Sequence, residues 1–151
     1  MLESVLQRID NGLEASIGRW SELLRIPSVS TDPAYEAAMR AAAQWLRDEL
    51  APLGFRIDIR ETEGHPVVIG HHDGPGDDAT HVLYYGHYDV QPPEPLAEWR
   101  NEPFEPTLEA SPHGRRMVAR GAVDDKGQLM MWVEALKAWH AEHGGLPIKV
   151  T

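Results

Sequence analysis

His87 and Asp89 stand two residues apart in Gly86-His87-Tyr88-Asp89-Val90-Gln91-Pro92, directly after the apolar run Val82-Leu83-Tyr84-Tyr85. On a continuing strand, residues i and i+2 share one face, so an imidazole and a carboxylate leave the strand together. One ring nitrogen of His87 can then bind a metal ion while Asp89 accepts a hydrogen bond from the other, fixing the tautomer. A bare His-x-Asp fits equally a strand-end Asx turn beside a solvent-facing histidine. A second acidic pair lies in Arg120-Gly121-Ala122-Val123-Asp124-Asp125-Lys126-Gly127. Asp125, with Gln128 three residues on, reads as a capping box for a helix beginning near Lys126. Asp124 has no such role, and the two oxygens of a carboxylate can bridge paired cations. An imidazole and a carboxylate at a strand end, with a second acidic site at a strand-to-helix turn, form the donor set of metal-dependent hydrolysis.

These groups need a scaffold, and the chain's periodicity describes one. Leu2, Val5, Leu6, Ile9, Leu13, Ile17, Trp20, Leu23 and Leu24 recur at helical spacing, predicting one amphipathic helix over 2–25 that stops near Pro27. Thr31 or Asp32 caps a second helix, with Pro33 at its first position, and Gly54 ends it. Phe55, Ile57 and Ile59 alternate with charged residues, which predicts a half-buried strand. Short strands follow at 66–70 and 81–85; the second is apolar throughout and suits a central place covered on both faces. Five prolines from Pro92 to Pro106 predict an extended loop. A short strand at 117–119, a helix over 126–140 stopped by Gly144-Gly145, and a final strand from Ile148 complete the pattern. This alternation predicts an α/β three-layer sandwich with a mixed, largely parallel sheet. Ligands in such sheets bind beyond the carboxyl ends of the strands, where both acidic sites fall.

Composition narrows the chemistry. At 151 residues the chain supports one core, and 42% hydrophobic with 25% charged residues is ordinary for a globular protein. A net charge of −10 argues against a nucleic-acid partner. Cysteine is absent, which excludes disulfides, thiolate zinc sites and cysteine nucleophiles. No apolar run reaches membrane-spanning length and no secretory signal precedes the first helix, so a cytoplasmic protein without a membrane partner is expected. Among the other histidines, His71-His72-Asp73 lies in a Gly-rich loop, and His140 and His143 suit a helix C-terminus. Trp99 and Phe104 suit pinning the proline-rich loop, and Trp132 and Trp139 suit core packing.

Several spaced motifs together resemble a known family. They are Leu23-Leu24-Arg25-Ile26-Pro27-Ser28-Val29-Ser30, Tyr84 to Pro92, Trp99, Pro103-Phe104-Glu105-Pro106 and Arg120 to Gly127. In this order they are similar to the co-catalytic zinc metallopeptidases and amidohydrolases, which include carnosinase, bacterial dipeptidases, aminoacylase and succinyl-diaminopimelate desuccinylase. The resemblance implies that His87 binds one metal, that Asp124 bridges two, and that Asp89 stands behind His87 as the catalytic carboxylate. It implies two Zn2+ ions, with Mn2+ or Co2+ as alternatives, and a cis peptide bond at Asp124–Asp125. The implied reaction is hydrolysis of an amide bond next to a free carboxylate, with water activated by the cations and a glutamate moving the proton.

Tyr88 and the Val90-Gln91-Pro92 ending look like the dipeptidase branch, so dipeptides or short peptides are the expected substrates. An N-acyl amino acid deacylase acting on acyl-amino acids is the rival within the family. A non-catalytic α/β fragment or pseudo-enzyme is the rival outside it. In the family the general-base glutamate, the remaining metal ligands, and a lid and dimerisation domain lie downstream. The expectation is therefore that residues 1–151 form the N-terminal portion of the catalytic domain, with the lid absent. A homodimer belongs to the full-length protein. Two ligands cannot complete a tetrahedral zinc site, so this chain alone is expected to be inactive and to bind zinc weakly.

Overall fold

Two helices, not one, open the chain in the computed structural model, which describes residues 2–151: α1 (Leu2–Asn11) and α2 (Leu13–Arg25). The break falls at Gly12, whose amide still donates to the Arg8 and Ile9 carbonyls at 2.9 and 3.2 Å. Glycine is a poor helix former, and the hydrophobic stripe continues across the break, so periodicity alone could not reveal it. Asp32 caps the next segment as expected, its carboxylate accepting from the Ala34 amide at 2.9 Å. After one 3-10 turn at Pro33–Tyr35 the chain enters α3 (Glu36–Leu50).

β1 (Arg56–Arg60) and β2 (Val67–His71) then form an antiparallel pair. β3 (His81–Val82) pairs in parallel with β6 (Lys149–Val150), and the bridge between His72 and Val150 joins the two ladders into one mixed sheet. A separate hairpin, β4 (Thr107–Ser111) with β5 (Gly114–Val118), stands apart. Between β5 and β6 runs α4 (Lys126–His143), ended by Gly144 in the left-handed conformation. The mixed α/β class is thus as expected, with the parallel pairing carried by β3–β6 and by the bridge between Val29 and Val90.

Two further features differ from the expectation. β4 was hidden because its exposure is inverted: Leu108 faces solvent, while Glu109 is covered by Arg100 and Arg116 at 2.9 and 2.8 Å. Charge pairing, not apolar burial, holds that hairpin, so a hydrophobic pattern does not reveal it. The apolar 81–85 segment is not covered on both faces either. Tyr84 stacks on Trp132 of α4 with ring centroids 4.7 Å apart, but Leu83 and Tyr85 on the other face are 78% and 83% exposed.

The core lies on the inner side of the sheet. Leu23, Leu46, Leu129, Met130 and Val133 join α2, α3 and α4, with Trp20 and Trp45 packed against them. Leu53, Phe55, Leu136, Leu146 and Val150 fill the other end beside Trp132 and Trp139. A cavity of about 510 Å³ runs from this core to His87 and Asp89.

Candidate metal centre

The loop after β3 carries His87 to its position through contacts on both ring nitrogens. Nδ1 lies 3.0 Å from Asp89 Oδ1, and Nε2 lies 3.0 Å from Asp124 Oδ1. The expected pairing of His87 with Asp89 is therefore present, and Asp124 arrives from the turn before α4 to meet the opposite edge of the ring. The Asp124–Asp125 peptide bond is cis. Burial works to lower the His87 pKa, but the hydrogen bonds to Asp124 and Asp89 outweigh it and hold the imidazolium above the ordinary histidine range.

Two serines to which sequence patterning gave no role hold this arrangement. Ser30 donates from Oγ to Asp89 Oδ2 at 2.6 Å, occupying the oxygen that His87 leaves free. Ser28 is fully buried and donates to the Tyr88 carbonyl at 2.6 Å, while Val90 donates its amide to the Ser28 carbonyl at 2.9 Å. The segment after α2 is thereby zipped to the His87 loop. Both serines lie within the Ile26–Ser30 motif, and only the fold shows what they touch.

Asp125 does not form the expected capping box. It is the N-cap residue of α4, yet its side chain makes no cap hydrogen bond. Its Oδ2 accepts instead from the His87 amide at 3.1 Å. The loop amide competes successfully with the helix's own free N–H groups, a contact that local sequence rules cannot anticipate.

Lys126 is wholly buried, and its Nζ donates to the carbonyls of Leu23 and Ile26 at 3.0 and 2.7 Å. These carbonyls sit at the C-terminal end of α2, where each also accepts one backbone amide, from Ile26 at 3.2 Å and from Ser28 at 2.8 Å. Burial lowers the Lys126 pKa to about 7, with the Asp89 charge opposing. Close approach shapes the turn as well. A Cβ on Gly127 would lie 2.2 Å from the Ala122 carbonyl oxygen, and one on Gly121, at φ +78°, would lie 2.5 Å from Val90 Cγ1.

The other sequence candidates settle into structural contacts. Trp99 donates from its indole to the Pro93 carbonyl at 2.7 Å, and the Arg120 guanidinium sits 5.3 Å above its ring, so Trp99 pins the proline-rich loop. His72 accepts from the Gly74 amide, and His71 meets the Thr151 hydroxyl at 3.0 Å.

His87 and Asp124 suit a divalent cation by donor type, a neutral imidazole and a carboxylate. Two ligand atoms of one tetrahedral ion with bonds of about 2 Å lie roughly 3.3 Å apart, close to the 3.0 Å between Nε2 and Oδ1. Asp124 is 80% exposed, which leaves its second oxygen accessible. Among the described residues no group of three or more His, Asp or Glu side chains converges on one ion position, so the chain presents two donors. No helix among the described residues is long and apolar enough to cross a membrane.

A sequence profile of Peptidase family M20/M25/M40 matches residues 83–151, the span containing His87, Asp89 and Asp124. Cys-Gly metallodipeptidase dug1 of Schizosaccharomyces pombe is 33% identical over 95% of this chain and 31% of its own length. Cysteinylglycine-S-conjugate dipeptidase of Corynebacterium striatum is 35% identical over 83% of this chain and 26% of its own length. The crystal structure of human carnosine dipeptidase 1 matches with a TM-score of 0.86 at 26% identity, covering 99% of this chain and 33% of that one. The chain spans between about a quarter and a third of the length of these relatives.

Proposed function

We propose, from a chain that is a relative of the metallodipeptidases and carries the Peptidase family M20/M25/M40 pattern over residues 83–151, that it supplies part of a metal centre hydrolysing the amide bond of dipeptides or short peptides. The observation that carries the reading is His87, held between Asp89 on Nδ1 and Asp124 on Nε2 at 3.0 Å each. His87 and Asp124 would hold zinc, with Asp124 extending to a second ion. When bound, such ions supply Lewis acidity toward the scissile carbonyl and toward water.

The chain's own residues contribute orientation. Asp89 accepts from Nδ1–H and keeps that proton in place, so Nε2 is the nitrogen turned toward Asp124 and donates to its Oδ1 at 3.0 Å. Ser30 holds Asp89 through its other oxygen, so the carboxylate cannot rotate away without breaking a second hydrogen bond. Departure of the proton between Nε2 and Asp124 is the acid–base event that accompanies loading with metal. Residues 1–151 are assigned to the N-terminal portion of the catalytic domain. The reading includes a cytoplasmic setting and a homodimer of the whole protein, which cell fractionation and sedimentation check.

The test uses the longest reading frame that contains this chain. His87→Ala and Asp124→Ala should each remove bound zinc and lower dipeptide hydrolysis by at least about a hundredfold, as loss of a catalytic-metal ligand does. Full hydrolysis by either variant would sink the proposal. Faster turnover of N-acyl amino acids than of dipeptides would move the substrate to the deacylase class.

A further inference from the structure

We propose that Asp125 is a positioning residue that fixes the main chain of His87 and so presents the imidazole to Asp124. The role rests on the reading of His87 and Asp124 as metal ligands. Three observations carry it.

The first is the choice of partner. At the N-terminus of an 18-residue helix an aspartate normally accepts from the free amides of the first turn, and here it does not. Its Oδ2 receives the His87 amide at 3.1 Å across 38 residues of chain. The second is the space around that contact. A Cβ on Gly86 would lie 3.0 Å from the Tyr84 hydroxyl and 3.4 Å from Asp125 Oδ2. The loop therefore passes between the tyrosine and the carboxylate with little freedom to slide. Tyr84 is itself stacked on Trp132, so the loop after β3 is fastened to α4 and its N-cap on both sides of Gly86. The third is complementarity within the acidic pair. Asp124 addresses the imidazole and Asp125 addresses the backbone of the same histidine. Main-chain position and ring position are thus set from one turn.

An ion bound by few donors gains most from donors held in place, because less ordering remains at binding. Removing such support typically costs 10- to 100-fold in metal affinity. The test uses the 151-residue chain, with Zn2+ added while backbone and imidazole NMR signals are followed. Asp125→Ala should speed exchange of the His87 amide in the metal-free chain and weaken zinc binding about tenfold. Asp125→Asn, which keeps an acceptor oxygen, should retain protection of that amide and most of the affinity.

A helix cap alone would behave differently. Asp125→Ala would then lower the melting temperature without changing zinc affinity or His87 exchange, and that result overturns the proposal. Equal loss in Asp125→Asn and Asp124→Ala would make Asp125 a ligand and overturns it too. If His87→Ala leaves zinc binding untouched, the metal-centre reading fails, yet the His87 exchange measurement in Asp125→Ala still decides the contact.

Discussion

At the scale of single residues, the centre is a histidine whose position is set by carboxylates that do different things. Asp89 holds Nδ1–H, Asp124 accepts from Nε2, and Asp125 holds the backbone. Asp89→Asn keeps the side-chain volume and an acceptor oxygen, so thermal stability should change little. The substitution should nevertheless shift the His87 tautomer, seen in long-range 15N couplings, and weaken zinc binding 10- to 100-fold. An unaltered tautomer would mean that Asp124 alone orients the ring. His87, Asp89 and Asp124 were legible in the sequence because strand-end spacing and the surrounding motifs mark them. Ser30 and Asp125 were not, because their partners lie 59 and 38 residues away.

At the scale of elements, α2 and α4 frame the site, and two polar contacts tie them. Lys126 bonds the carbonyls of Leu23 and Ile26 at the end of α2, and Lys126→Met would remove a hydrogen bond from each, leaving each with one backbone amide. The expected cost is about 1–3 kcal/mol, read as a lower urea midpoint, and the Ile26–Ser30 segment should lose amide protection with it. The second tie is Glu134, which accepts from Arg19 at 2.7 Å and Ser16 at 2.6 Å. Burial raises the Glu134 pKa, but these hydrogen bonds and the Arg19 charge outweigh it, leaving the folded-state pKa below the usual carboxylate value. The unfolded chain then binds a proton at a higher pH than the folded one. The contribution is present above about pH 4.5 and is lost as pH falls through the lowered folded-state pKa. Urea midpoints of wild type and Glu134→Gln should differ by about 1 kcal/mol in stability at pH 7 and converge once the pH falls below the lowered folded-state pKa. Apart from the break at Gly12, the helices and turns of this framework were readable from apolar period and glycine positions. The β4–β5 hairpin was not, since ion pairs rather than buried side chains define it.

At the scale of the whole molecule, the two proposed metal donors, His87 and Asp124, lie at one end of a mixed sheet whose outer face carries exposed Leu83 and Tyr85. Two donors leave a zinc ion mostly hydrated. The purified 151-residue chain should therefore bind zinc weakly and show no dipeptide hydrolysis above the zinc-only rate. Robust turnover by this chain, with contaminating peptidase excluded, would contradict that expectation. The α/β class was legible because helical and strand periods alternate clearly. Coverage of the sheet was not, because an all-apolar strand reads the same whether one face or two are occupied.

The fully enclosed amine of Lys126 has a consequence for covalent chemistry. Its pKa of about 7 makes it largely the uncharged, nucleophilic form in mildly alkaline buffer, yet no reagent can reach it while α2 stays docked. Of the three lysines, Lys137 and Lys149 should acylate promptly. Lys126 should acylate only at the rate at which the helix seam opens. Mass spectrometry of Lys126 acylation over time would thus clock a local opening event beside the metal centre.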